Sequence, residues 1–305
     1  MFLCPFVLEG SIMKYCINYY GKQLDLLNEI EEINIELDHI TNLERDIEEF
    51  CELHKNQRLN FIIPNYEQMV DKGYLLYIFD FQQTHKEYNI YIRLPYIDET
   101  YYPALKEKYT NMKFFFELKI KDWDSLIGII NEGVSDVYIV EEFCFNLKDI
   151  AAVAHSNNVR VRVFPNVAQS SWESTPALKK FWIRPEDIHY YEDYIDVCEL
   201  YGKYEQQKIY YEVYKQDEKW TGNLRFLIIG LDQDIDNTCL LPRFGDKRVN
   251  CKHRCFQGIN CQMCDVIFDL SKNLEKTGLR IIIDKNMEEE EINNGERISE
   301  QSSSI

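Results

Sequence analysis

The sequence lacks several features that would assign it to a familiar class. No apolar run approaches the about 18 residues that a helix needs to cross a bilayer, so no membrane-spanning segment is predicted. The motifs G-x-G-x-x-G, H-E-x-x-H and G-x-S-x-G and the Walker loop are also absent. Positive charge is scarce, because 34 Lys and Arg stand against 52 Asp and Glu, for a formal charge of −18. This balance argues against nucleic acid as a general ligand, which would require clustered basic residues.

Cysteine is too infrequent for a disulfide scaffold, with 10 residues in a chain of 305. The N-terminal residues also lack the basic flank and the small-residue cleavage site of a signal peptide. We therefore expect a cytoplasmic protein whose thiols are reduced. A hydrophobic fraction of 45% and an aromatic fraction of 14% provide enough apolar material for a substantial core.

Between residue 14 and about residue 201, short β-branched or aromatic runs alternate with amphipathic stretches. The spacing of the runs is close to that of one compact βα unit, which predicts a parallel sheet with intervening helices. Taking Lys180–Arg184 as the eighth strand, we predict a (β/α)8-type, TIM-like barrel. Two alternatives remain open at this point: an open parallel sheet, and an incomplete barrel that uses Ile209–Tyr214 as a strand.

The changes of composition divide the chain into four parts. Residues 1–12 form an N-terminal arm, 13–202 the barrel domain, and 203–285 a C-terminal extension that carries a cysteine motif. Residues 286–305 form an acidic tail, in which six Glu face one Arg from residue 287 onward. We expect this tail to be disordered, because it has little apolar surface to bury.

The strongest chemical signal lies in the extension, where four thiols fall within fourteen residues in the spacing C-x3-C-x5-C-x2-C: Cys251, Cys255, Cys261 and Cys264. Thiolates are soft ligands that suit zinc or an iron–sulfur cluster, so we predict that these four cysteines bind zinc or a [4Fe–4S] cluster. Four free thiols or two disulfides are the alternatives. The spacing differs from the C-x3-C-x2-C motif of radical S-adenosylmethionine enzymes.

The loops that follow the strands of a β/α barrel carry its chemistry, so polar residues near predicted strand ends are candidate site residues. Arg93 and Glu36 belong to a wider set of such residues. Four residues are singled out as catalytic candidates: Arg184, Asn166, Gln169 and Glu141. Arginine binds carboxylates in a bidentate manner, which favours a small anionic substrate. The alternative for each residue is a solvated charge or a weak salt bridge at the rim.

One segment resembles a known barrel family. Gly133, Asp136, Val137 and Val140 match a strand motif of the collagenase-like peptidase family, and Asn166 falls near the asparagine-rich loop that follows in those proteins. The family includes RNA and ubiquinone hydroxylation proteins. The resemblance implies a TIM-like barrel and a cysteine cluster on the C-terminal side, which in several members holds a [4Fe–4S] cluster and supports oxygen-independent hydroxylation.

Two functional hypotheses follow, and the sequence leaves open whether the protein is catalytic. The first is an iron–sulfur barrel enzyme that acts on a small anionic or nucleotide-like substrate by hydroxylation or related redox chemistry. The second is a non-catalytic barrel, stapled by zinc, that binds a protein partner or serves in assembly. The metal that the cysteines bind would distinguish the two hypotheses.

Overall fold

The computed structural model describes residues 13–21, 25–37, 43–63, 73–94, 102–110, 113–116, 123–131, 133–139, 146–169, 180–216, 219–240 and 244–251. Eight strands run parallel in one sheet: β1 (Lys14–Tyr19), β2 (Glu32–Glu36), β3 (Arg58–Ile62), β4 (Ile90–Leu94), β5 (Phe114–Phe116), β6 (Asp136–Tyr138), β7 (Arg160–Val163) and β8 (Val197–Glu199). Within these residues, seven α-helices accompany the strands: α1 (Leu43–Leu53), α2 (Tyr74–Thr84), α3 (Tyr102–Lys108), α4 (Trp123–Asn131), α5 (Leu147–Ser156), α6 (Tyr204–Lys215) and α7 (Phe244–Val249). A longer 3-10 helix, Pro185–Tyr191, lies between β7 and β8.

The strand order is β5-β4-β3-β2-β1-β8-β7-β6, so the first and last strands of the chain are neighbours and the sheet curls into a nearly closed barrel. Strands β5 and β6 lie side by side at the seam, and the described part of the chain shows no hydrogen-bonded ladder between them. This confirms the predicted (β/α)8-type barrel, including the alternative that its closure is incomplete.

The two faces of the sheet differ in polarity. Ile17, Ile33, Ile35, Leu59 and Ile92 are fully buried members of the apolar core, and the strand residues between them are mostly polar. Because successive side chains of a strand point to opposite faces, the apolar set packs under the helices and the polar set fills the barrel interior. A TIM-like barrel is usually filled by branched apolar side chains, so this polar interior is the unusual feature of the fold.

The predicted eighth strand at Lys180–Arg184 is wrong. Only Phe181 forms a bridge there, antiparallel to Gln169, and β8 is Val197–Glu199. Pro185, which has no backbone N–H to donate to a ladder, begins the 3-10 helix directly after this segment.

The alternative strand at Ile209–Tyr214 is also wrong, because this segment belongs to helix α6. Tyr210, Tyr211 and Tyr214 are at most 3% exposed, whereas Ile209 is 51% exposed. The tyrosines therefore repeat with helical rather than strand spacing, and their buried face packs against the barrel next to β1.

Candidate functional site

The carboxyl ends of three strands bring an arginine, a tyrosine and a glutamate together. Arg93 is the fourth residue of β4, and Tyr138 and Glu199 are the last residues of β6 and β8. The Arg93 guanidinium donates from Nη1 to Glu199 Oε1 at 2.9 Å, and the Tyr138 hydroxyl donates to Glu199 Oε2 at 2.5 Å. The guanidinium also lies 4.6 Å from the centre of the Tyr138 ring. We call these three residues the floor, because they line the bottom of the C-terminal end of the barrel.

The electrostatics of the floor fix each group in one role. Burial raises the pKa of Tyr138 well above its ordinary value, so the phenol remains a protonated donor. Both oxygens of Glu199 accept hydrogen bonds, and Arg162 Nη1 lies 3.7 Å from Oε2. The carboxylate is therefore compensated from three sides, and Arg93, near the C-terminal end of β4, is the cation of the floor. An arginine in this position can bind the carboxylate or phosphate of a small molecule.

An amide ladder runs through the interior beside the floor; we use this name for Asn18, Asn34 and Asn60, on β1, β2 and β3. Asn60 Nδ2 donates to Asn34 Oδ1 at 3.0 Å, and Asn34 Nδ2 donates to Asn18 Oδ1 at 3.0 Å. Asn34 and Asn60 are fully buried, and Asn18, nearest the C-terminal end, is 6% exposed. The ladder thus joins three neighbouring strands through their side chains inside the barrel.

The N-terminal ends of four strands hold a different arrangement, which also includes the third residue of β7. We call it the base cluster: Glu32, Arg58, Asp136, Arg160 and Arg162. Arg160 Nη1 donates to Glu32 Oε1 at 2.5 Å, and Arg160 Nη2 lies 2.7 Å from Asp136 Oδ1. Arg58 pairs with Asp136, and Arg162 pairs with both carboxylates. Every charge of the cluster is paired with at least one opposite charge, which is typical of a structural network, and the N-terminal face of this fold is generally concerned with stability.

Cys16, between the base cluster and the floor, is fully buried, and burial raises the pKa of its thiol. The thiol is therefore protonated and unreactive at neutral pH.

Among the predicted catalytic candidates, Asn166 is fully buried behind β7. Its Nδ2 donates to the Tyr201 carbonyl at 2.6 Å, and its Oδ1 accepts from the Tyr201 N–H at 2.9 Å. The side chain thereby joins the segment after β7 to the segment after β8. Gln169 pairs through its backbone with Phe181, and its Nε2 lies 3.4 Å from the Phe164 carbonyl oxygen. Glu141, the fourth candidate, lies outside the described residues.

Arg184 precedes the 3-10 helix rather than ending a strand, and it is 1% exposed. It binds Asp187 in a bidentate manner, with Nε to Oδ2 at 2.5 Å and Nη2 to Oδ1 at 2.9 Å, and donates from Nη1 to Asn237 Oδ1 at 3.2 Å. Asn237 also donates to Glu186 Oε1 at 2.5 Å. These contacts attach the C-terminal extension to the barrel. Arg184 is therefore separated from the floor, and the structure does not bring it together with Asn166 in one site.

Of the four cysteines of the motif, Cys251 is described; it lies two residues after the end of α7 and is partly exposed. The preceding Asn250 accepts a hydrogen bond from Lys148 Nζ at 2.6 Å, near the start of α5. Helix α7 packs against the 3-10 helix Pro185–Tyr191, so Cys251 lies in the outer helical layer. Cys255, Cys261 and Cys264 lie outside the described residues, and within the described residues no three His, Cys, Asp or Glu side chains form a metal site.

Sequence reasoning included Arg93 among the strand-end candidates but missed Tyr138, Glu199 and the amide ladder. A signal was present, since polar residues occupy every second position in Glu32-Ile-Asn-Ile-Glu36 and in Arg160-Val-Arg-Val163. In a parallel sheet covered by helices, both faces of a strand are expected to be apolar, so this alternation indicates a polar barrel interior.

The fold and the floor together define a TIM-like β/α-barrel protein with a polar interior. A solved structure described as the U32 peptidase Mk0906 is similar, with a TM-score of 0.41 and 10% sequence identity, over 66% of this chain and 97% of that chain. The likeness concerns the fold alone and is consistent with the weak resemblance to the collagenase-like peptidase family. No family model and no curated protein matches the chain. Within the described residues, no helix is both long and apolar enough to span a membrane.

Proposed function

We propose that this protein is a β/α-barrel enzyme that binds a small anionic substrate at the C-terminal end of the barrel, above the floor. The observation that carries the proposal is Arg93, held at the end of β4 by Glu199 and the Tyr138 ring. A guanidinium fixed in this way is preorganised, so it loses little side-chain entropy when it binds a carboxylate or phosphate. The loops around the C-terminal ends of the strands are also where enzymes of this fold bind their substrates.

In this proposal, Cys251, Cys255, Cys261 and Cys264 hold a [4Fe–4S] cluster. Cys251 fits a ligand role, because its side chain is partly exposed and it lies two residues after the last turn of α7. When bound, the cluster would supply the electron transfer that hydroxylation or related redox chemistry requires. The protein's own groups would bind and orient the substrate: Arg93 through its guanidinium, with Glu199 and Tyr138 holding that guanidinium in place.

The test of the cluster is metal analysis together with an ultraviolet–visible spectrum of anaerobically purified full-length protein. We expect about four iron atoms per chain and a broad band near 400 nm. Cys261→Ser should lose the band, whereas Cys51→Ala, at a buried cysteine of α1 outside the motif, should keep it. Colourless protein with one equivalent of zinc would contradict the iron–sulfur proposal.

The position of Cys251 favours a second candidate, a zinc-stapled barrel that binds a protein partner or serves in assembly. Cys251 lies two residues after α7, a helix that packs against the 3-10 helix Pro185–Tyr191 in the outer layer, and it is not part of a barrel strand. A structural zinc contributes folding free energy directly, so in this case Cys261→Ser should make the protein insoluble rather than merely inactive. Chelation of the metal should likewise lower the melting temperature of the wild-type protein.

A further inference from the structure

The orientation of the side-chain amides in the ladder follows from one group, the Arg58 guanidinium, which contacts Asn60 at one end of the ladder. Arg58 Nε can only donate, and it donates to Asn60 Oδ1 at 2.9 Å. The Nδ2 of Asn60 must then face the other way, where it donates to Asn34 Oδ1 at 3.0 Å and approaches Glu32 Oε2 at 3.4 Å. A donor-only cation and a carboxylate acceptor thus fix the orientation of Asn60 from both sides.

The same orientation passes to the next two amides. Because Asn34 Oδ1 accepts from Asn60, its Nδ2 faces β1 and donates to Asn18 Oδ1 at 3.0 Å. Asn18 therefore directs its Nδ2 away from the ladder, toward the C-terminal end, where its side chain meets that of Tyr20. An amide nitrogen carries two N–H groups, so this contact leaves a second donor available. All three amide dipoles point the same way, which strengthens each hydrogen bond of the chain.

We infer that Asn18 is a specificity-determining residue that, together with Arg93, makes the C-terminal end of the barrel selective for a carboxylate. This inference rests on the proposed function, in which a small anionic substrate binds there. Arg93 offers only donors, and the ladder makes Asn18 Nδ2 a donor too. A carboxylate has only acceptors, whereas a neutral amide of the same shape would turn N–H groups toward one of these donors.

Asn34 and Asn60 are positioning residues in this arrangement. Both are fully buried below Asn18, and they act on the ligand only by fixing the orientation of the Asn18 amide. Replacing Asn34 by Asp would place a carboxylate oxygen against Asn18 Oδ1. The Asn18 amide would then be favoured in the reversed orientation, with its oxygen toward the C-terminal end, although residue 34 itself touches no ligand.

The experiment is isothermal titration calorimetry of the full-length protein at constant ionic strength, with succinate and its neutral isostere succinamide as probes. We expect saturable binding of succinate that is about tenfold or more tighter than that of succinamide, since hydrogen bonds to a charged acceptor are the stronger ones. Asn18→Asp should abolish this preference, and Asn34→Asp should reduce it. Asn157→Asp, the same charge change at an exposed position after α5, should leave it intact.

The inference is overturned if wild-type protein shows no saturable heat with succinate, if it binds both probes equally, or if Asn18→Asp keeps the preference. Far-ultraviolet circular dichroism of each variant checks folding. If Asn34→Asp does not fold, the wild-type preference and Asn18→Asp decide the question. Metal content is measured on the same preparation, so a protein that prefers succinate but holds no iron refutes the cluster and keeps the carboxylate subsite.

Discussion

At the N-terminal end of the barrel three arginines share two carboxylates, whereas at the C-terminal end one arginine shares one carboxylate with a phenol. Both groups are built on alternate residues of the same parallel strands, and both are largely buried. They differ in what surrounds the charges. Each carboxylate of the base cluster pairs with two or more guanidinium groups, while Glu199 of the floor accepts one hydrogen bond from a guanidinium and one from a phenol, with Arg162 3.7 Å away.

This difference indicates that the base cluster serves stability, whereas in the proposed function the floor serves binding. In the base cluster, each charge is compensated by opposite charges within a few ångströms, and Arg162 and Asp136 are fully buried. Such a network tolerates little change, because removing one member leaves the others buried and unpaired. The floor has a single cation, whose partner Glu199 is already shared with Tyr138. In the proposed function, a ligand would bind beside this smaller group of charges and not at the base cluster.

The comparison is tested most severely by Arg162→Met, which removes the fully buried arginine that connects Glu32 to Asp136. We expect the free energy of unfolding to fall by about 3–5 kcal/mol, because two buried carboxylates lose a partner. Urea denaturation followed by circular dichroism measures the change. The control is Arg45→Met, whose side chain is 76% exposed beside Asp46 and should cost no more than about 0.5 kcal/mol. Equal losses in the two variants would contradict a structural role for the base cluster.

The sequence predicts the βα alternation well, because strand runs and amphipathic helices such as α1 and α5 show clear periodicity. It predicts the end of the barrel less well. Tyrosines dominate the segment 209–214 and favour a strand by composition, yet their spacing at 210, 211 and 214 fits the buried face of a helix. The short strand β8, Val197–Glu199, offers too few residues for any periodicity to emerge.

The candidate site is predicted only in part, for a physical reason. Arg93 is recognisable from its place near a strand end, but its partner Glu199 lies 106 positions further along the chain. Only the register of eight strands and the curvature of the sheet bring the two together, and neither can be read from one segment. Asn166 shows the converse case. It is a polar residue that follows a strand, as a site residue would, but its side chain makes hydrogen bonds to the backbone of Tyr201.

Asn166→Ala is the second prediction, and it asks whether the C-terminal end also contains purely structural polar groups. The substitution leaves the N–H and carbonyl of Tyr201 without the two bonds that Asn166 provides. We expect a loss of about 2–3 kcal/mol in the free energy of unfolding, with succinate affinity unchanged at temperatures where the variant is folded. A variant of normal stability that no longer binds succinate would instead support the catalytic or binding role that the sequence predicts for Asn166.

A smaller effect is expected for Tyr138→Phe, which removes one hydroxyl from the floor and keeps the ring against Arg93. Glu199 Oε2 then loses a buried charged hydrogen bond, which should lower the free energy of unfolding by about 1–2 kcal/mol. The matched control is Tyr88→Phe, whose hydroxyl donates at 3.1 Å to Glu52, a glutamate at the exposed surface. The control should cost less than about 0.5 kcal/mol, because water replaces the lost donor. If Tyr88→Phe lowers the free energy of unfolding as much as Tyr138→Phe does, then burial of the floor does not strengthen the hydrogen bond of the Tyr138 hydroxyl.

The smallest effects are expected from two histidines at the ends of α1 and α5. The hydrogen bond from His155 Nε2 to Asp196 Oδ2, at 2.9 Å, raises the pKa of His155, whereas burial lowers the pKa of His54. His155 therefore contributes stability that is fully present below its unfolded pKa of about 6.5 and is lost as pH rises through the higher folded value. His54 has the opposite sign, because its contribution is fully present above about 6.5 and is lost as pH falls through the lower folded value.

Urea unfolding of wild type, His155→Gln and His54→Gln between pH 5 and pH 8.5 separates these contributions. The stability difference between wild type and His155→Gln should shrink as pH rises, and the difference for His54→Gln should shrink as pH falls. If the free energy of unfolding of both variants runs parallel to that of the wild type across this pH range, neither histidine changes its protonation on folding. Opposite slopes would show that individual partners, Asp196 on one side and the apolar packing against Phe50 on the other, set the charge of each helix end.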